Sequence, residues 1–327
     1  MKAIVRSRPG KALSTMQVMD LPPPSLPADH LRIRVATSRI NPVDVDLMKG
    51  MPFLKYKQPQ IGGIDGAGEV LERGTATTGF QPGDRVFFYR HFTDMGTWAE
   101  EISVPANVVA KIPQHLELTD AGAVALPLLT AFESMQQFQG KTGQTILIHG
   151  GAGGVGFQAV QVAVALGLKV VATASAKDEK RLKTAGVAQC IDYKSQRFEQ
   201  VLKPGAIDFI FDTVGKDTLL RSMLLRPKKV VSVHYADPAL MHKTGMKVPG
   251  VLKLILKLAN RKFTKAAKKE GVTLLGQVTG GNGKTLQKAA DLAQKSGFIV
   301  GPYTTISIQD IAQQGLNGKS VGRIIVF

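Results

Sequence analysis

The sequence predicts an α/β protein in which a doubly wound parallel sheet is inserted into a β-rich domain that takes both chain termini. Three observations carry this prediction. From about Ala121 onward, apolar strand-like runs alternate with helical segments, an order that implies a parallel sheet covered by helices on both faces. A glycine-rich turn joins the first such run to the first helix after it. Before Ala121, and again at the end of the chain, short strand patterns are broken by Pro and Gly clusters, with no sustained helical period. The expected boundaries are 1–121 with 285–327 for the β-rich domain and 122–284 for the sheet domain.

The elements follow in order. Strands are expected at Met1 to Val5, Leu31 to Ala36, Gly68 to Leu71 and Arg85 to Phe88, with only a short turn after Asn41-Pro42. AGAVALPLLTAFESMQQF reads as a helix. TILIH (145–149), KVVATA (169–174), DFIFDTV (208–214), KVVSVH (229–234) and VTLLGQV (272–278) read as strands. Helices separate them at Phe157 to Leu166, Lys177 to Thr184 and Lys216 to Leu225, and a further helix covers Leu286 to Lys295. YTTIS and GRIIVF read as closing strands.

Composition narrows the function. The chain has 327 residues, 44 % of them hydrophobic, with 42 Lys and Arg against 25 Asp and Glu for a formal charge of +17. That length and apolar content suit two domains with buried cores. One cysteine, Cys190, excludes an intramolecular disulfide framework, a multi-cysteine zinc site and an iron–sulfur cluster. No apolar run reaches spanning length and none near Met1 resembles a secretory segment, so a soluble cytoplasmic protein is expected.

The most informative segment is HGGAGGVG (149–156). Gly151, Gly153 and Gly156 satisfy G-x-G-x-x-G between a strand and a helix, the dinucleotide-binding (Rossmann) pattern, with Ala152, Gly154 and Val155 completing the turn. The first glycine is expected to allow the tight turn, the second to let backbone approach a pyrophosphate, and the third to let helix pack on strand. The helix start then offers free N–H groups to that anion. For NAD, an acid is expected about 20 residues further on, at the end of the next strand. Here Thr173, Ala174 and Ser175 stand there, followed by Lys177 and Arg181. A hydroxyl and two cations suit a 2′-phosphate, so NADPH is favoured over NADH. The alternative is that Lys177 and Arg181 merely begin a solvated helix, although a basic first turn opposes the helix dipole.

Ordered segments along nearly the whole chain carry a resemblance. INPVDVDLMKG (40–50), IGGIDGAGEV (61–70), QPGDRVF (81–87), GTWAEEISVPANVVAKIP (96–113), ALPLLTAFESM (125–135), HGGAGGVG and GKSVGRIIVF (318–327) resemble, in order, the zinc-free quinone oxidoreductase and enone reductase branch of the medium-chain dehydrogenase/reductase superfamily. The resemblance implies a GroES-like catalytic domain around the Rossmann domain, a homodimer, and NADPH-dependent reduction of a quinone or an α,β-unsaturated carbonyl. The superfamily's zinc alcohol dehydrogenases place a Cys where this chain has INPVD and Gly-His-Glu where it has Gly63-Ile64-Asp65, so metal-free hydride delivery is expected.

By the same resemblance, Asn41 sits near the nicotinamide with an amide that could polarise a substrate carbonyl; its other role is to cap the turn that follows. Thr130 matches a position at the nicotinamide end, Tyr193 one beside the adenosine phosphate, and Asp212, Val214 and Gly215 one along the nicotinamide ribose. His234 and Tyr235 end the next strand and are expected to line the site, with Tyr235 joining Asn41 and Thr130 as a catalytic candidate. Many quinone oxidoreductases have a Tyr where this chain has Asp46, so that substrate contact does not carry over. Tyr56, Tyr89, His91 and Tyr235 are the candidates for a proton donor, and protonation by solvent would need none of them.

The charge excess is concentrated. Nine cations and one acid, Glu270, lie between Lys243 and Glu270. Lys253, Lys257, Arg261, Lys265 and Lys269 recur every fourth residue, with Val251, Leu252, Ile255, Leu258 and Ala259 on another face. The expected arrangement is a helix buried on its apolar face with a solvated basic side. Peripheral contact of 243–270 with a membrane surface and attraction of an anionic substrate such as a CoA ester are the alternatives. Nucleic acid is not expected, because no binding module or aromatic stripe accompanies the charge.

Overall fold

A computed structural model describes residues 1–6, 16–50, 59–91, 93–241, 248–317, 320 and 322–327. Tyr56, Lys243, Lys247 and parts of the 318–327 motif therefore lie outside the described residues. The chain divides into two compact units, residues 1–126 with 280–327, and residues 127–279.

The first unit is largely β. Strands β1 (Lys2–Arg6), β2 (Met16–Asp20), β3 (His30–Arg39), β4 (Gln60–Ile61), β5 (Asp65–Arg73), β6 (Arg85–Tyr89), β7 (Glu101–Pro105) and β8 (Val109–Lys111) come from its amino-terminal part. Helix α1 (Pro42–Lys49) interrupts them, and helix α2 (Leu118–Phe138) leads out of this unit. A three-stranded sheet has the order β2-β1-β4, and β3, β5, β6 and β8 lie consecutively in a seven-stranded sheet where β7 also pairs with β3. Inward residues alternate along β3, as a sheet with one packed face requires. Gly62 and Gly63 let the fully buried Trp98 lie against backbone; a Cβ on either would fall within 2.3 Å of its ring atoms or of Thr97. The turn expected after Asn41-Pro42 is two helical turns long, because Asn41 and Asp44 form a capping box.

The second unit carries the parallel sheet. Its strands are β9 (Thr145–His149), β10 (Lys169–Ala174), β11 (Val187–Asp192), β12 (Phe209–Asp212), β13 (Lys229–Ser232) and β14 (Thr273–Gly276). They stand in the order β11-β10-β9-β12-β13-β14, with every neighbouring pair parallel. The helices between them are α3 (Gly154–Ala165), α4 (Glu179–Thr184), α5 (Phe198–Val201), α6 (Lys216–Ser222) and α7 (Gly250–Lys269). Central strands read as unbroken apolar runs because both of their faces are covered; all of β12 is buried. The chain then returns to the first unit through α8 (Gly283–Ser296), β15 (Thr305–Ser307), α9 (Ile308–Gln314) and β16 (Ile324–Val326). β16 pairs antiparallel with β3 and parallel with β15, which completes the larger sheet. Ser307 ends the expected YTTIS strand by capping α9, its hydroxyl accepting the Asp310 N–H at 3.0 Å.

Candidate cofactor site

In a doubly wound sheet the crevice for a ligand opens where the strand order reverses, at the carboxyl ends of the strands. Here that point lies between β9 and β12. A cavity of about 830 Å³ opens there. Its lining comes from the ends of four strands: His149 and Gly150 after β9, Thr173 to Ser175 after β10, Ile191 and Tyr193 from β11, and Thr213 and Val214 after β12.

The glycine turn forms the floor. Gly150, not Gly151, takes the left-handed conformation (φ +70°), so the tight turn begins one residue earlier than the pattern assigns. Gly151 is small for another reason: a Cβ there would stand 2.8 Å from that of Ala172. At Gly156 a Cβ would come within 2.1 Å of the Gly150 carbonyl oxygen, so this glycine allows α3 to start against the turn. Gly153 differs from all three. Its φ of −75° suits any residue, and a Cβ would meet only the Gly150 oxygen, at 3.3 Å. That contact is tight but would need the Gly150 carbonyl to give by only a few tenths of an ångström, so packing calls for glycine far less here than at Gly156. Gly153 and Gly154 are exposed, and the first turn of α3 presents N–H groups without intrahelical acceptors. A dinucleotide pyrophosphate fits this cradle.

Charge around the cavity is sorted by pairing. Arg221 pairs with both oxygens of Glu199 at 2.9 Å and with Asp217 at 2.9 Å. Arg181 corrects the sequence reading, because it is not among the lining residues. Its guanidinium donates to Asp178 Oδ1 at 3.0 Å and to the Ala152 carbonyl at 3.1 Å, and lies 4.6 Å over the Phe157 ring. It braces the glycine turn from behind. Ser175 lines the cavity, but its hydroxyl donates to Asp178 Oδ2 at 2.7 Å. Lys177 lines the cavity as expected, and a second cation missed in the sequence, Arg197, lines it too. Both are exposed, and neither is in a salt bridge among the described residues. Tyr193 joins them, 62 % exposed.

Asp212 and Val214 have separate tasks. Val214 lines the cavity. Asp212 is fully buried beneath it, accepting the Gly215 N–H at 3.0 Å and the Ser232 hydroxyl at 2.6 Å, and thereby shapes the loop that carries Val214. His149 is buried in the floor, its ring nitrogens 3.2 Å from Thr173 Oγ1 and 3.0 Å from Ser222 Oγ. Burial lowers its pKa to about 4, so it is neutral at pH 7.

Thr130 and Tyr235, the two catalytic candidates in the same unit, do not line this cavity. Thr130 is buried, with its hydroxyl 2.9 Å from that of Thr279. The Tyr235 hydroxyl meets Thr264 Oγ1 at 3.2 Å, and the residue lines a different cavity beside α7. Asn41 belongs to the first unit, where it joins two buried carboxylates. Its side-chain amide donates to Asp65 Oδ1 at 2.8 Å and to Asp44 Oδ2 at 3.1 Å, and its backbone N–H donates to the same Asp44 oxygen at 2.7 Å. Both amide hydrogens are thus committed, which leaves none for the substrate carbonyl that the resemblance implied. Burial raises the Asp65 pKa to about 6, against the opposing hydrogen bonds from Asn41 and the Leu126 N–H. Burial and the neighbouring Asp65 hold Asp44 well above the usual carboxylate range.

Residues 27–114 match the alcohol dehydrogenase GroES-like domain family, and residues 154–233 match the zinc-binding dehydrogenase family. The quinone oxidoreductase of Coxiella burnetii superposes with a TM-score of 0.76 at 26 % identity, covering 95 % of this chain and 93 % of that one. The chain belongs to the medium-chain dehydrogenase/reductase superfamily. The 2-methylene-furan-3-one reductase of Solanum lycopersicum is 32 % identical over 206 residues, 59 % of this chain and 52 % of that protein. The chain thus spans about half the length of that curated relative. The Escherichia coli quinone oxidoreductase, solved in complex with NADPH, shares the fold at a TM-score of 0.75 and 20 % identity, with complete coverage of both chains.

The superfamily's catalytic zinc does not fit here. Ile40 and Ile64 stand in the segments where its zinc enzymes place Cys and His, and both are fully buried apolar side chains. The one cysteine, Cys190, lies on β11 in the other unit, its thiol pKa raised by burial.

Proposed function

We propose that the protein is an NADPH-dependent, zinc-independent oxidoreductase that reduces a quinone or an α,β-unsaturated carbonyl. The observation that carries this reading is the pair of exposed cations, Lys177 and Arg197, neither in a salt bridge among the described residues, on a cavity whose floor is a glycine cradle. A 2′-phosphate would meet both cations, whereas the ribose diol of NADH would call for a free acid. The two acids on the cavity wall are already engaged, Asp178 by Ser175 and Arg181, and Asp217 by Arg221.

When bound, NADPH supplies the hydride. The chain's contribution is placement: the Gly153–Val155 backbone holds the pyrophosphate, Lys177 and Arg197 hold the 2′-phosphate, and the Asp212-braced loop supports the ribose. With INPVD where the zinc enzymes place Cys and Ile64 where they place His, the substrate must be electron-poor enough to accept hydride without a Lewis acid. Quinones and enones meet that requirement, and their relatives among the matched proteins favour both. Protonation by solvent needs no side chain; the Tyr235 hydroxyl faces Thr264 and Tyr89 is buried in β6.

The test is NADPH oxidation over a panel of quinones, enals and unsaturated acyl-CoA esters, with and without a chelator. Saturable turnover of a quinone or an enone, unchanged by the chelator, is expected. Loss of turnover on chelation, or activity confined to alcohols, would overturn the reading.

A further inference from the structure

Helix α7 carries two apolar stripes, and only one of them faces its own unit. Leu252 and Leu256 are partly covered, and Asn260, Phe263 and Ala267 are buried, a spacing that runs along one face. This corrects the sequence reading, which placed Val251, Ile255 and Leu258 inward. Val251, Leu254, Ile255 and Leu258 are 58 %, 57 %, 52 % and 61 % exposed. They fall at i, i+3, i+4 and i+7, a continuous strip on the outer side of the first two turns. Among the described residues these four sit together while other exposed large apolar side chains are scattered, and such a cluster marks a contact surface.

Cations border the strip. Lys253, Lys257 and Arg261 follow at every fourth position, none of them in a salt bridge among the described residues, and no acid occurs from Gly250 to Lys269. Lys257, Arg261 and Lys265 also form one wall of a cavity of about 420 Å³, with Tyr235, Asp237 and Pro238 opposite. An apolar strip beside a cationic one is the pattern of a helix lying in a lipid interface, acyl chains under one strip and anionic headgroups against the other. Among the described residues no helix is long and apolar enough to cross a membrane, so the contact would lie in the membrane plane.

We propose that the first two turns of α7 dock the protein onto an anionic lipid bilayer, with Val251, Leu254, Ile255 and Leu258 entering the interface and Lys253, Lys257 and Arg261 meeting headgroup phosphates. A second copy of the chain fits this face poorly, because apposed helices would bring the same cations together. A nucleic acid would use the charge and leave the apolar strip in water. The inference does not depend on the oxidoreductase reading.

The experiment is co-sedimentation of the full-length protein with phosphatidylcholine vesicles, either alone or containing one third phosphatidylglycerol. Two double variants are compared with the wild type, Leu254→Gln with Leu258→Gln and Lys253→Glu with Lys257→Glu. All four positions are exposed, and circular dichroism with a thermal melt checks that each variant folds. Wild-type protein is expected to favour the anionic vesicles, and each variant to lose roughly tenfold or more in partitioning. The proposal is overturned if wild-type protein stays in the supernatant with both vesicles. It is equally overturned if the leucine variant sediments like the wild type, or if light scattering shows a wild-type oligomer that the leucine variant loses.

Discussion

Arg181 donates to the Asp178 carboxylate at 3.0 Å and to the carbonyl of Ala152 at 3.1 Å, tying the end of β10 to the glycine turn. One cation is thereby withdrawn from nucleotide selection and becomes a support for the cradle. The division of labour among Arg181, Lys177 and Arg197 gives the first expectation. Lys177→Ala or Arg197→Ala should each weaken NADPH binding about tenfold and leave NADH binding nearly unchanged, the loss of one charge-assisted contact. Arg181→Ala should weaken both nucleotides alike and lower the melting temperature. Isothermal titration of the three variants with both nucleotides separates these outcomes.

Gly153 and Gly156 should behave differently despite belonging to one motif. At Gly156 a Cβ meets backbone at 2.1 Å, so Gly156→Ala should cost about 1–3 kcal/mol of stability and abolish binding. At Gly153 the nearest atom is 3.3 Å away, so Gly153→Ala should fold with a near-native melting temperature and lose nucleotide affinity. Thermal melts paired with titrations check both. Equal melting losses would mean that Gly153 is required by packing rather than by a ligand.

The Asp44–Asn41–Asp65 cluster should make stability depend on pH in an unusual direction. Asp65 titrates at about 6 in the folded protein against 3.8 for an unperturbed aspartate, so between those values the native state holds more protons than the unfolded chain. Stability from this group is therefore greatest in acid and falls as pH rises through that window, by on the order of 3 kcal/mol. Asp44, shifted in the same direction, extends the fall to higher pH. Asp44→Asn removes one of these carboxyls and keeps its shape, so the variant should gain on the wild type as pH rises from about 4 to 7. Parallel urea-unfolding curves for the two proteins across that range would contradict the assignment.

His149 should remain neutral well below the usual histidine range, with a midpoint near 4. Its folded pKa lies below the unfolded value, so the stability it contributes is present above about 6.5 and is lost as pH falls through 4. Ring carbon shifts in a pH titration followed by NMR measure this directly, and a midpoint near 6.5 would place the ring in water.

The features legible in the sequence are those with a single physical cause. β9, β10, β12 and β13 announce themselves because strands covered on both faces read as unbroken apolar runs. β11 does not, since it is an edge strand with exposed Ala188 and Gln189. Lys177 and the glycine turn follow from local pattern, while Arg197 reaches the cavity from the N-cap of α5, where the sequence SQRFEQ carries no signal for it. The α1 capping box was readable from the Asn41-x-x-Asp44 spacing, but its link to Asp65 requires β5 to be placed beside it. For α7, periodicity reveals apolar stripes without saying which one the sheet covers; that choice is made by Phe263 and Ala267 packing into the core of their unit.

The central claim is that this cradle selects a 2′-phosphorylated nucleotide through Lys177 and Arg197. Paired titrations of the wild-type protein with NADPH and NADH at moderate ionic strength test it most directly. Two exposed cations on the cavity, each giving about a tenfold gain, predict that NADPH binds about a hundredfold more tightly. Equal affinities, tighter binding of NADH or no binding of either nucleotide would contradict the claim.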